Sequence, residues 1–409
     1  MNIDNIILIY SYYGVGGAQR RAHNLANKFA ENGWHVSIIA AKGADGSIVG
    51  DDYYPGHQNV ELILLPEYSN AHKNDPAFIK MAADNEKKLK LLQLEQRAAK
   101  KFSSGSTRLR DLIRGSKGSV ALKYLLSQYE NAVVINFGFN IFEATWFAAK
   151  NTGIKKLIYA ETNAAAKYEN DSNYRATCSY VKKASFCVFQ TREEMRSHGL
   201  TDSPRAAVIH NPVKDVLPER YEGERVKEIV NFCRIVPQKN LLLLIKAFAL
   251  FREDYPDYRL AVYGDAPGES GEKYLAFLKN YIHENKLENC ISFLPAAPDI
   301  HERIRDRAMF VCSSDYEGLS NSMVEAMAIG MPCICTDCGG GGAAEMIKDC
   351  ENGLLTPVGD IQALAGAMKR FAADTAFAEK CGEAAYRVRR ELSLDIIAGK
   401  WLDIIKKES

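Results

Sequence analysis

The sequence has no long hydrophobic run, no charge bias and no disulfide framework, and each lack closes a class of function. None of its apolar stretches approaches the roughly 18 residues that a membrane-spanning helix needs. Lys and Arg number 52 against 51 Asp and Glu, a formal charge of +1, so nothing in the overall balance draws the chain to nucleic acid. The opening MNIDN leads into a short apolar segment, without the basic start and longer apolar core of a secretory leader. Ten cysteines in 409 residues make no disulfide scaffold, and their place in apolar segments fits a reducing, cytoplasmic setting. Cys333, Cys335 and Cys338 lie close together, but the first two share one face of a strand. No His or further C-x-x-C pair completes a metal site, so they read as core residues. D-x-D is also missing, which argues against a catalytic metal clamp of that kind. No metal or other cofactor is expected.

What is present is an ordinary globular composition, 47% hydrophobic and 25% charged. Two domains are the natural expectation at this length. The first half opens with NIILIY (5–10), a Gly-rich turn, an amphipathic helix ending near Gly33 and the strand WHVSIIAA. That is a βαβ unit of the doubly wound type. Gly14 and Gly16 begin a G-x-G-x-x-G fingerprint, but Gln19 stands where its third Gly belongs, so a dehydrogenase reading is weak. Further strands are expected at 131–137, 155–161 and 186–190, the last leading into a helix capped by Thr191. Residues 66–130 carry no strand signal and read as helical. Within them, 80–117 hold eleven Lys or Arg against four Asp or Glu, a local net of +7. This run admits two readings: a solvated helix face, or a surface that meets anionic lipid. The strand–helix pattern restarts near Glu228, after Asn211-Pro212.

The most informative stretch is DYEGLSNSMVEAMAIG (315–330), after the apolar run AMFVCSS. A buried strand, a tight turn at Glu317-Gly318 and the helix starters Ser320, Asn321 and Ser322 follow from these residues. Such a strand–loop–helix aims backbone N–H groups at whatever lies beyond the strand, which suits a phosphate. Two carboxylates, Glu317 and Glu325, flank the helix start with seven residues between them. Ser322 and Glu325 also have the S-x-x-E spacing of a capping box, which would give Glu325 a structural duty.

Together with Gly330, Pro332, the Gly-rich turn and AEMIKDCENGLL, this stretch resembles the family 4 glycosyltransferases, most strongly from Val230 to Val358. Gly16-Gly17 before Ala18 is similar to that family's GG loop, and Asn211-Pro212 to the pair closing its N-terminal domain. Arg234 and Lys239 keep the spacing of its G-R-x4-K pattern, with Cys233 in place of Gly. Gly264-Asp265-Ala266-Pro267 departs from G-D-G-P at Ala266, and Pro295 stands where a Gly is usual.

The resemblance implies an α/β fold of GT-B type, two Rossmann-like domains facing across a cleft. Residues 1–212 would bind the acceptor and 213–392 the nucleotide-sugar donor, with a last helix in 393–409 packing back on the first domain. It implies a retaining hexosyltransferase that moves a sugar, with a UDP-sugar as the expected donor, to a hydroxyl of a glycan or lipid-linked acceptor. Surface polysaccharide or glycoconjugate synthesis would be its setting. Glu317, Arg234 and Lys239 would be catalytic. Gly16, Gly17, Gly318, Leu319, Ser320, Asn321 and Glu325 would bind donor, with Glu325 on the ribose. Many members carry a His after the strand matching LIYA; here Glu161-Thr162-Asn163 stands there, so Glu161 becomes the candidate acceptor contact and no His is named. The basic 80–117 region would allow peripheral contact with the inner face of a membrane. Two alternatives share the architecture: a catalytically silent partner of an active transferase, and a nucleotide-sugar epimerase.

Overall fold

The computed structural model describes residues 3–10, 17–41, 57–99, 120–162 and 178–407. Its described strands form two wholly parallel sheets. The first holds β1 (Asn5–Tyr10), β2 (His35–Ala40), β3 (Val60–Leu64), β4 (Ala132–Phe137), β5 (Ile154–Ala160), β6 (Phe186–Phe189) and β7 (Ala206–Val208) in the order β3-β2-β1-β4-β5-β6-β7. The second holds β8 (Val226–Phe232), β9 (Arg259–Tyr263), β10 (Ile291–Leu294), β11 (Arg307–Cys312), β12 (Cys333–Asp337) and β13 (Leu354–Pro357) in the order β10-β9-β8-β11-β12-β13. In each, strand order reverses beside the first strand, between β1 and β4 and between β8 and β11. Open parallel sheets bind ligands at such reversals, beyond the carboxyl ends of the strands.

The strands are apolar on both faces because helices cover both. Ile6 and Leu8 of β1 join one core cluster, and Ile7 and Ile9 join another on the opposite face. The first of these clusters runs on without a break into the second domain, taking in Phe232 and Phe310 of its sheet and Met327 of a helix. The two domains therefore share buried apolar surface, about 25 cal/mol for each Å² removed from water. Strand β3 was not expected from its sequence. Its run VELIL is short, carries a Glu and lies at the sheet edge, where only Ile63 is buried.

The chain crosses between the sheets at 209–225, and Val213 N–H donates to Leu392 C=O at 2.9 Å. The final helix, Leu394–Lys406, is capped by Ser393 and packs on the first domain. Its Trp401 is buried, 6.1 Å from the Phe137 ring, and Lys156 Nζ donates to Ile404 C=O at 3.0 Å. The basic 80–117 run lies partly outside the described residues. Within them, Lys80, Lys87 and Lys90 are exposed on the helix Pro76–Ala99. No helix among the described residues is long and apolar enough to cross a membrane. Cys333, Cys335 and Cys338 are buried free thiols.

Candidate active site

The loops after β8 and β11 are adjacent because those strands pair at the reversal of the second sheet. After β8, Arg234 opens a loop that passes through a short turn, Pro237–Lys239, to Asn240. Asn240 has a positive φ of 41°, which Asn tolerates better than most side chains. It caps the helix Leu241–Arg252 through its side chain, while its Nδ2 donates to Asp315 Oδ1 at 2.6 Å. Gln238 Nε2 donates to Tyr316 C=O at 2.9 Å, and Ser313 Oγ to Lys239 C=O at 3.0 Å. These bonds stitch one loop to the other and set Lys239 against Glu317.

Lys239 Nζ lies 2.5 Å from Glu317 Oε1, and Ser314 Oγ donates to the same oxygen at 3.1 Å. Burial opposes the charge on Lys239, but the Glu317 carboxylate outweighs it and holds the ammonium above its ordinary pKa. The Gly-rich turn after β12 supports Glu317 from behind. Glu317 N–H donates to Gly339 C=O at 3.1 Å. A Cβ on Gly340, whose φ is +103°, would lie 1.8 Å from Glu317 C=O, and one on Gly342 would lie 1.9 Å from Gly318 C=O. Only glycine permits that approach.

Gly318, Leu319 and Ser320 carry the chain into the helix Asn321–Ala328, with Ser320 as N-cap. Here the capping-box expectation fails. The helix starts at Asn321 with Ser320, not Ser322, in the N-cap position, no side chain caps it, and Glu325 is free of that duty. Three polar starters in a row left its start ambiguous in the sequence. Glu325 is instead a buried ion-pair centre: Arg20 Nη2 lies 2.6 Å from Oε1, and His301 Nε2 2.9 Å from Oε2. Burial pushes its carboxyl up, but the bond from His301 and the charges of Arg20 and Lys214 outweigh this and leave it below the usual carboxylate range.

Glu325, Arg234 and Lys214 face a cavity of about 240 Å³ whose other walls include Phe232, Tyr263, Ala297 and Ile300. Arg234 is exposed and forms no ion pair with a described residue. Burial lowers Lys214 below its ordinary pKa against the pull of Glu325. An apolar pocket edged by two cations and a carboxylate has the chemistry to hold a nucleoside and its phosphates. Larger cavities, such as the one of about 620 Å³ beside Arg387 and Lys400, lie away from both loops.

The first domain closes over this side of the second. Besides Arg20 on Glu325, Asn211 Nδ2 donates to Asn321 Oδ1 at 3.0 Å and Thr191 Oγ1 to Gly340 C=O at 2.6 Å. Gly16 lies outside the described residues; Gly17 begins the helix Gly17–Glu31, which carries Arg20. Glu161 is buried just past the end of β5. It is 1% exposed, and its carboxylate accepts from Tyr159 O–H at 2.6 Å and Thr162 N–H at 2.8 Å. Beside it, burial first and the Glu161 charge second push Glu194 up to about 8.

The structure thus brings Arg234, Lys239, Glu317 and Glu325 to one side of the second sheet and sets Arg20, Lys214, Ser314 and His301, which the sequence did not single out, beside them. Arg20 lies three residues past Gly17 and Lys214 two past Pro212, each just outside the motif beside it, and nothing in the sequence marked His301.

Residues 218–388 match the family model described as glycosyl transferases group 1. Among curated proteins, the chain is 31% identical over 203 residues to an exopolysaccharide phosphotransferase of Streptomyces coelicolor, covering 49% of this chain and 21% of that one. It is 24% identical over 256 residues to a poly(glycerol-phosphate) alpha-glucosyltransferase of Bacillus subtilis, covering 60% and 36%. The chain thus spans about a fifth and about a third of the lengths of these relatives. Among solved structures, HepE of Anabaena in complex with UDP aligns over 98% of this chain and 99% of its own, at 17% identity and a TM-score of 0.72. The fold is α/β of GT-B type, two Rossmann-like domains across a cleft.

Proposed function

We propose that this chain, whose second domain carries the glycosyl transferases group 1 match, is a retaining glycosyltransferase using a UDP-sugar. The observation that carries the reading is the convergence of Arg234, Lys239 and Glu317 on two neighbouring loops, with Glu325 on the helix that follows the second, at the reversal of a parallel sheet. The UDP bound by HepE supports the choice of base, and the alpha-glucosyl product named for the Bacillus relative supports retention.

As the bond from the sugar to the diphosphate breaks, its electron pair passes to the leaving phosphate oxygen. Arg234, Lys239 and the first N–H groups of Asn321–Ala328 stabilise that growing charge, so no divalent metal is required. The acceptor hydroxyl attacks on the face the diphosphate leaves, and its proton passes to the departing phosphate oxygen. The protein contributes orientation and charge stabilisation rather than a dedicated base. Glu317, held in place by Lys239 and Ser314, hydrogen-bonds the transferred sugar. Glu325 takes the ribose hydroxyls. The acceptor is a glycan or lipid-linked hydroxyl in surface polysaccharide synthesis, and the basic 80–117 region brings the enzyme to an anionic inner membrane face.

Incubation with a panel of nucleotide sugars, in excess EDTA, tests this. Release of UDP from one UDP-sugar, undiminished by chelation, is expected. Loss of donor without nucleotide release marks an epimerase, and activity restored only by magnesium or manganese contradicts the metal-free account.

A further inference from the structure

The two partners of Glu325 are not equivalent. Arg20 comes from the other domain, and its side chain is 29% exposed. His301 comes from the helix Ile300–Ile304 of the same domain, and its side chain is 5% exposed. Its ring meets Phe232 edge-on at 5.7 Å and 84°, and Phe232 in turn packs on Phe310 at 5.3 Å. The imidazole is therefore locked by aromatic packing, and its N–H fixes one carboxylate oxygen from the core side. The other oxygen is held by a group that a domain movement can withdraw.

We propose that His301 is a positioning residue for donor binding: by holding Oε2 of Glu325, it presents Oε1 to the nucleoside cavity, where the cis-hydroxyls of a nucleoside diphosphate replace Arg20. A carboxylate held through one oxygen cannot turn about its last torsion without giving up that bond. A single fixed oxygen accepts from both ribose hydroxyls without reorganisation. Without His301, Glu325 turns towards Arg20 or Lys214, and each nucleotide has to pull it back. This role of His301 rests on Glu325 being the ribose contact, and the two fail differently in the experiment below.

The experiment is calorimetric titration of UDP and of 2′,3′-dideoxy-UDP into the wild type, Glu325→Ala, His301→Ala and His301→Gln. The wild type is expected to prefer UDP by about tenfold to a hundredfold, the range for hydrogen bonds to a charged group. His301→Ala should weaken UDP about tenfold and leave the dideoxy ligand unchanged. His301→Gln, whose amide can donate to the same oxygen, should recover most of that loss. In turnover, the loss should fall on donor KM and spare kcat. If His301→Ala does not fold, His301→Leu, similar in volume and unable to donate, takes its place. Equal weakening of both ligands, or of neither, while Glu325→Ala weakens UDP alone, overturns the positioning role and leaves the ribose assignment standing. If Glu325→Ala binds both ligands as the wild type does, the ribose assignment fails and the role of His301 falls with it.

Discussion

Lys239 and Glu317 form an ion pair at 2.5 Å, with side chains only 12% and 15% exposed. Each comes from a different loop, and each is the other's main compensation for burial. The pair holds both side chains in place before any ligand arrives, so in the proposed reaction the group for the diphosphate and the group for the sugar are positioned together.

Lys239→Ala and Arg234→Ala should each lower turnover by at least about a hundredfold, the scale of losing one charge stabiliser. Their stabilities should differ. Arg234 is exposed and its loss should leave the melting temperature unchanged, whereas loss of Lys239 strands Glu317 and should cost on the order of 3 kcal/mol. Kinetics and thermal melts on the two variants check both statements; near-normal turnover in both contradicts the assignment.

Glu317→Gln keeps the size of the side chain and removes its charge. We expect a strong fall in kcat with UDP affinity intact, because UDP carries no transferred sugar. Calorimetry with UDP beside steady-state kinetics reads the split. A large loss of UDP affinity would show that Glu317 acts through Lys239 on the phosphates instead.

Gly340→Ala places a methyl group 1.8 Å from the Glu317 carbonyl. The turn has to move, and Glu317 with it. The variant should fold with reduced stability and lose activity about as severely as Glu317→Gln, by the same paired measurements.

Glu194 supplies a pH test in the first domain. Its folded pKa of about 8 exceeds the ordinary value of 4.5, so between these the folded state binds more protons than the unfolded chain. Its contribution to stability is therefore full below the ordinary value and lost as pH rises towards the folded one. Glu194→Gln should remove this slope. Its melting temperature relative to the wild type should rise steadily from pH 5 to pH 8; a constant difference across that range contradicts the account.

The alternation of strand and helix was legible because buried parallel strands are continuous apolar runs and their helices carry clear starts and stops. Arg234, Lys239, Glu317 and Glu325 were legible for a related reason: each keeps the short-range spacing of a known family's motif, on the loops and helix that follow two strands. Arg20 was not, since its partner Glu325 lies 305 residues away and meets it from the other domain. His301 was hidden because its role depends on Phe232 packing against it, and a lone His on a short helix has many structural explanations. Glu161 went the other way: it sits at a strand end as expected, but its own strand's Tyr159 and the next N–H enclose it.

The most direct test of the central claim follows wild-type protein with UDP-α-sugars by proton NMR, without acceptor, so that water takes the acceptor's place. Retaining transfer predicts release of UDP together with the α-anomer of the free sugar, seen before it equilibrates with the β-anomer. First appearance of the β-anomer, or consumption of donor without UDP, would contradict the account.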